Sequence, residues 1–166
     1  HRTIDVNLTG PLMLARAAIP VMIDRGGGSI VLVASVNGLA NAPRAVAYDA
    51  SKAGLISLAR SIAVDFGPHG VRANAVCPGW VVTPMGDQDM DAMAAARGIS
   101  RDDAYRLASA AVPLRRPASA DEIASCCLFL ASDDSSIVTG TALVADGGGG
   151  AVELASIAFA PDDTTS

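Results

Sequence analysis

Aromatic residues are scarce in this chain of 166: three Phe, two Tyr and one Trp, 4% of the total. An interior must therefore be built from aliphatic side chains, and apolar residues make up 51% of the sequence. Charge is thin as well, at 17% Asp, Glu, Lys and Arg, a combination that excludes a disordered chain. No basic stripe is present: twelve Lys and Arg face seventeen Asp and Glu, for a net charge of −5. A nucleic-acid partner is therefore not expected. Nor is a membrane partner, since the longest uninterrupted apolar run, Cys126 to Ala131, falls far short of the roughly 20 residues that span a bilayer. The three cysteines, Cys77, Cys126 and Cys127, lack C-x-x-C or Cys/His spacing. They read as reduced thiols of a cytoplasmic protein rather than as a disulfide scaffold or a zinc site. His69, between Pro68 and Gly70, reads as a surface turn residue, and the only other histidine is His1; no metal site is expected.

An initiator Met is missing too. The chain opens inside a helical stripe already under way, with Ile4, Leu8, Leu12, Ala15, Ile19 and Met22 at steps of three and four. This predicts a fragment that has lost an N-terminal part. After Gly26-Gly27-Gly28, the segment Ile30 to Ala34 is apolar on both faces, as a buried parallel strand would be. A second helix begins near Ala45, carries Leu55, Leu58, Ala59, Ile62 and Phe66 on one side, and stops at Gly67-Pro68. Val71 to Val76 predicts a second strand, followed by a Pro78-Gly79 turn. Met85 to Pro113 is an acidic insertion rich in Met and Ala, with a helix start at Ser100 and Asp103, a variant of the capping box. Ser119 and Glu122 form a full S-x-x-E box opening a helix through Ile123, Cys127 and Leu130; Thr141 to Ala145 is a third strand. Helices alternating with parallel strands make one half of a doubly wound α/β sheet, about three strands with flanking helices, over residues 1–150; 151–166 forms a tail. The apolar part of that tail, Ala151 to Ala160, is expected to pack on a neighbouring subunit, with Pro161 to Ser166 loose.

Ligands of such sheets sit at the carboxyl ends of the strands, here Ser35 to Asn41, Pro78 to Met85 and Asp146 to Gly150. Tyr48 and Lys52 stand at i and i+4, on one face of a helix near its N-terminal turn. A phenol next to an ammonium, at the positive end of a helix dipole, is drawn toward its ionised form and can then exchange a proton with a carbonyl or alcohol oxygen. A solvated helix pair has the same spacing. Ser35 ends the first strand thirteen residues before Tyr48; its hydroxyl either holds the oxygen that Tyr48 protonates or caps a turn. Pro11 has no N–H to give to the Asn7 carbonyl four residues back, so the helix bends there. The freed carbonyl either holds a water that links Lys52 to solvent or is merely solvated.

Asn7-Leu8-Thr9-Gly10, Ser35, Tyr48-Asp49-Ala50-Ser51-Lys52, Val71 to Gly79 with Thr83-Pro84, and Asp146-Gly147-Gly148 together resemble the short-chain dehydrogenase/reductase family in order and spacing, from Thr3 to about Gly148. The resemblance implies an NAD(P)-binding Rossmann-like fold and hydride transfer between a secondary alcohol and a ketone with NAD or NADP. It implies that Tyr48 is the general acid/base, that Ser35 orients the substrate oxygen, and that Lys52 favours the ionised phenol and holds the nicotinamide ribose. Asn7 would maintain a water relay. Pro78, Gly79, Val81 and Thr83 would line the nicotinamide, with Thr83 on its carboxamide. Residues 85–113 match the position of the substrate lid, with Trp80 against the substrate. The same likeness implies a homodimer or homotetramer assembled through the first two helices, and a structural role for Arg116.

Other features depart from the family. Its Gly-rich dinucleotide turn and ribose-reading residue would lie before His1. Gly26 to Gly28 joins helix to strand rather than strand to helix, and Gly147 to Gly150 has no phosphate-loop Lys. The first strand would then present an unpaired edge. Trp80, Met85, Met90, Met93 and Tyr105 line an apolar pocket or simply pack between helices. The alternative to an enzyme is a truncated or non-catalytic relative acting as a binding or oligomerisation module. Sequencing the coding region upstream of His1 tests the fragment expectation: a Gly-rich turn in frame is expected, and a stop codon or unrelated sequence would overturn it.

Overall fold

The computed structural model describes residues 2–153 and 155, so the expected contacts of Ala151 to Ala160 and the loose end at Pro161 to Ser166 lie almost wholly outside the described residues. The chain falls into two compact units, one from the N-terminal helix to Pro78 together with Ala120–Ala145, the other Gly79–Ser119 together with the chain from Asp146.

The first unit contains a parallel sheet of three strands in the order β1 (Gly28–Val33), β2 (Val71–Pro78), β5 (Ala142–Ala145). Strand β2 is central, and every residue in it except Arg72 is buried. Its side chains alternate between two covered faces. Val71 and Ala73 pack with Ala15 and Ile19 of α2 (Gly10–Asp24) and Ile62 of α3 (Val46–Phe66). Ala75 and Cys77 pack with Leu55, Ile56 and Ala59 of α3. On the other face, the Arg72 guanidinium donates to the carbonyls of Leu130 and Ser132 and to the Ser135 hydroxyl, which ties down the end of α6 (Ala120–Ala131). Asn74, fully buried, donates to the Val138 carbonyl (2.9 Å) and accepts from the Thr141 N–H (3.1 Å). This holds the approach to β5 in register.

The expected α/β architecture and parallel sheet are present, and the boundaries differ for physical reasons. β1 begins two residues early and is only half-buried, with Val33 50% exposed. Among the described residues it has one neighbour, so one edge and part of one face stay open. The N-terminal stripe holds except at Leu12: α1 (Arg2–Ile4), a π-helical turn over Asp5–Thr9 and α2 form one helical run, with Ala15 and Ile19 buried, Ile4, Leu8 and Met22 half-buried and Leu12 47% exposed. The π turn falls just ahead of Pro11, where a missing N–H breaks the regular ladder. Arg2–Asp24 is also the one described helix long and apolar enough to cross a membrane by length and composition, although no uninterrupted apolar run in it is long. Its buried face packs on the sheet as a core helix does. At the far end of α3, a 3-10 turn over Gly67–His69 and Gly70 at φ 76° make the stop rather than Gly67-Pro68 alone, and His69 is exposed in that turn.

The second unit has a core of its own. Helix α4 (Pro84–Arg97) is capped by Thr83, and α5 (Arg101–Ala108) by the reciprocal Ser100–Asp103 box expected from the sequence. They meet through Met90, Ala94, Ala104 and Tyr105. A two-residue parallel pair, β3 (Val81–Val82) with β4 (Ala118–Ser119), closes the unit. Met90 and Met93 therefore pack between the helices, with Ala94, Ala104 and Ala108 beside them, while Tyr105 both joins that core and lines a groove with Asp87 and Arg101.

Replacing Asn74 with Leu leaves the Thr141 N–H without its partner and the Val138 carbonyl with only the Arg72 guanidinium at 3.3 Å. A loss of about 2 kcal/mol is expected, read as a lower denaturant midpoint at unchanged m-value. A midpoint equal to that of the parent would remove Asn74 as the support of β5.

Candidate active site

Tyr48, Ser51 and Lys52 lie in the first turns of α3, and Asn7 lies in the π turn packed against it. Gly54 permits that approach: a Cβ there would sit 2.7 Å from the Leu8 side chain. The Asn7 side-chain amide donates to the Ser51 hydroxyl (3.1 Å), which donates to the Tyr48 carbonyl (2.6 Å). The expected role of Asn7 ran through its backbone carbonyl. The structure adds a side-chain tie from the same residue to the backbone that carries Tyr48, and Ser51, fully buried, is a member of the site that spacing alone did not single out.

Lys52 is the only lysine in the sequence. Its Nζ lies 5.5 Å from the centroid of the Tyr48 ring and donates to the Val33 carbonyl (2.9 Å) at the end of β1. Burial pushes its pKa below the ordinary lysine value, and the nearby Cys77 opposes that shift. Burial pushes the Cys77 thiol up. Of the two tyrosines, Tyr105 is buried and donates to Asp87 (3.0 Å); burial first and that hydrogen bond second push its pKa up to about 12. It is locked in a structural role. Tyr48 is half-buried.

Ser35 follows β1 by two residues and is 8% exposed. Its Oγ accepts the Asn37 N–H (3.1 Å) and so caps the short turn Val36–Gly38. The capping reading and the substrate reading are therefore compatible: a lone pair is used, and the O–H remains to donate. The loop Asn37 to Ala42 is pinned to α3 by Asp49, 2% exposed, whose carboxylate accepts from the Asn37 amide (2.8 Å), the Ala42 N–H (3.1 Å) and, at longer range, the Asn41 amide (3.4 Å). Sequence reasoning passed over Asp49. Its signal was present: an acidic residue inside a helix stripe, facing a loop with two asparagines. Asn7, Ser35, Tyr48 and Lys52 all belong to the first unit.

A groove of about 530 Å³ runs along the open edge of β1, lined by Ser29 to Val33 and by Asn7, Pro11 and Lys52. Pro78, buried, ends β2 opposite Ala145. The other residues expected at a nicotinamide lie in the second unit. Gly79 packs on Asp146, where a Cβ would come within 3.0 Å of the Asp146 Cβ. Trp80 is 39% exposed, and Val81 is in β3. The Thr83 hydroxyl accepts from the Gly86 N–H (3.2 Å) as the cap of α4. The Gly-rich turn after β5 is no phosphate cradle, because Asp146 itself takes the N–H groups of Gly148 (2.8 Å) and Gly150 (2.6 Å). Arg116 donates to the Pro117 carbonyl. Among the described residues no three His, Cys, Asp or Glu gather as metal ligands would.

Over residues 1–149 the sequence matches the family described as enoyl-(acyl carrier protein) reductase. It is 48% identical over 160 residues to protein MoaE of Klebsiella aerogenes, covering 96% of this chain and 62% of that one. Oxidoreductase UcpA of Salmonella typhimurium is 40% identical over 93% of this chain and 58% of its own length. D-beta-hydroxybutyrate dehydrogenase of Rhizobium meliloti is 35% identical, over 89% and 57%. Solved structures agree. Ligand-free aldohexose dehydrogenase of Thermoplasma acidophilum superposes with a TM-score of 0.84 at 34% identity, covering 98% of this chain and 61% of that one. A short chain dehydrogenase family protein of Francisella tularensis gives 0.82 at 31%, over 90% and 61%. A Beutenbergia cavernae protein assigned as an NAD(P)-dependent gluconate 5-dehydrogenase, with NADP bound at low occupancy, gives 0.79 at 33%, over 90% and 56%. The chain thus spans less than two thirds of the length of these relatives.

With a single lysine, reductive ¹³C-methylation labels Lys52 and the terminal amine, and the latter titrates near 8. The Lys52 resonance is expected to titrate below 10.5. The unfolded chain then binds the extra proton between the two values, so the contribution of Lys52 to stability rises as pH climbs through that window. A midpoint at or above 10.5 would contradict the burial of this ammonium.

Proposed function

Because the chain belongs to the short-chain dehydrogenase/reductase family, we propose that it carries the acid–base machinery of an NAD(P)-dependent oxidoreductase interconverting a secondary alcohol and a ketone. The observation that carries this reading is the cluster on α3: Tyr48 with the Lys52 ammonium 5.5 Å from its ring, and Asn7 tied through Ser51 to the Tyr48 backbone.

The donor set fits the nicotinamide-ribose end of the cofactor. A lysine ammonium has three donors; the Val33 carbonyl takes one, leaving donors for ribose hydroxyls. Pro78, Gly79, Val81 and Thr83 are assigned to the nicotinamide. Among the described residues, no glycine turn with free N–H groups is available for the diphosphate of NAD or NADP. When bound, the nicotinamide gives or takes the hydride. The rest of the work falls to the protein. Tyr48 gives a proton to the carbonyl oxygen on reduction and takes it back on oxidation. Ser35, its Oγ already accepting from Asn37, donates to that same oxygen. Lys52 favours transfer from the phenol by stabilising negative charge beside it, and Asn7 lines the path along which the proton returns to solvent. Trp80 is assigned to the substrate. Segment 85–113 is assigned as a lid within the domain 1–150.

Exposed apolar side chains on the first two long helices, among them Met13, Leu14 and Val64, favour self-association as a homodimer or homotetramer. The three free cysteines favour a reducing, cytoplasmic setting.

Nicotinamide absorbance, followed with NADH or NADPH and a panel of ketones, tests the reaction. Tyr48→Phe is expected to lower kcat by about 10²–10⁴-fold, the contribution of a positioned acid–base group, with unfolding unchanged. Turnover equal to that of the parent in Tyr48→Phe would remove the mechanism.

A further inference from the structure

Ser35 and Tyr48 come from different elements, a strand end and a helix, yet the proposed reaction needs both on one oxygen atom. What fixes the loop that carries Ser35 against α3 is visible. Asp49 is the residue next to Tyr48, and its buried carboxylate accepts from the Asn37 side chain at 2.8 Å and from the Ala42 N–H at 3.1 Å. Asn37 in turn donates its backbone N–H to the Ser35 Oγ at 3.1 Å. One residue therefore touches Ser35 with its main chain and the Tyr48 helix with its side chain. Gly38 follows and rests on the Lys52 backbone, where a Cβ would come within 2.8 Å of the Lys52 carbonyl carbon and oxygen. The loop is seated at two successive residues.

We propose that Asp49 and Asn37 form a positioning pair that holds the Ser35 hydroxyl in register with Tyr48 and directs its proton outward toward the substrate oxygen. The pair rests on the reaction proposed above and adds residues to it. Because the Asn37 N–H occupies one Oγ lone pair, the Ser35 O–H is turned away from Asn37 and acts as a donor. Rotation of the Asn37 peptide would release both.

The test compares Asn37→Ala and Asp49→Asn with the parent protein. Asn37→Ala removes the side-chain link, keeps the backbone N–H and leaves Asp49 two donors, so the fold is retained. Asp49→Asn keeps the shape and faces an amide donor toward other donors. Expected in both is a kcat lower by about 100-fold, the effect of an ~1 Å misplacement of a reacting group, with the KM for NADH or NADPH unchanged. Amide exchange at Asn37 and Ala42 should quicken about tenfold as the loop opens locally. A purely structural role predicts the faster exchange with kcat intact, and that result would overturn the proposal; so would unchanged exchange. Tyr48→Phe measured alongside separates the failures. If it retains full turnover, the reaction itself is wrong. If it loses turnover while Asn37→Ala keeps it, only the positioning pair is wrong.

Discussion

A carboxylate taken out of water gathers donors around it, because leaving it without them costs more than any flexibility gained. Asp49 is that group here. The Asn37 side chain and the Ala42 N–H turn toward it, so an otherwise irregular stretch of chain is given one position on α3. The order of dependence runs from there: the seat of the loop sets Asn37, Asn37 sets Ser35, and in the proposed reaction Ser35 is of use only if Tyr48 stays put. Tyr48 stays because its own carbonyl is held through Ser51 to Asn7. Two short chains of hydrogen bonds thus converge on one turn of helix from opposite sides.

The sheet beneath obeys a similar rule. A central parallel strand has both faces covered, and a polar residue in it survives only where its groups are answered. Arg72 and Asn74 point away from α3 and spend their hydrogen bonds on the loop between α6 and β5. Small residues on the opposite face, Ala73, Ala75 and Cys77, let α3 lie close. The strand therefore fixes α3 by close packing and β5 by hydrogen bonding. The strand ends, where the candidate residues lie, inherit their positions from both.

Much of this was legible in the sequence, and the parts that were not share a cause. Stretches of unbroken periodicity, the helix from Val46 to Phe66 and the strand from Val71, could be read because local pattern and burial agree there. So could the Ser100–Asp103 cap, whose partners are three residues apart. Helix α4 was harder: its start is a Thr-Pro pair, its apolar contact with α5 is confined to Met90, Met93 and Ala94, and the stripe is broken by Asp87, Asp89 and Asp91. The half-burial of β1 is not visible in its composition, since an apolar strand looks alike whether or not a neighbour pairs with it; its unpaired edge was expected from the family resemblance instead, and among the described residues β1 does lie at the sheet edge. At the candidate site, Tyr48, Lys52 and Ser35 were singled out by spacing and a strand end, and Asn7 by the proline four residues on. Asp49 and Ser51 were not, because what makes them matter is a partner twelve residues away in a loop (Asn37) and forty-four residues away in another helix (Asn7).

Lys52 joins the two levels. Its ammonium answers the last carbonyl of β1, at the open edge of the sheet, and the same ammonium lies 5.5 Å from the Tyr48 ring centre. A compact cation with three donors can do both and still face a ligand, whereas the planar fork of an arginine would have to choose. Its partial burial follows from the position between strand end and helix, and that burial makes the proton easier to lose. The strand edge is thus linked to the helix: whatever shifts the Val33 carbonyl moves the ammonium that lies over the Tyr48 ring. The groove that begins at Asn7 and Lys52 and runs along Ser29 to Val33 places the open edge of β1 next to these two side chains. Occupation of that edge and the position of the Lys52 ammonium over the Tyr48 ring are therefore physically coupled.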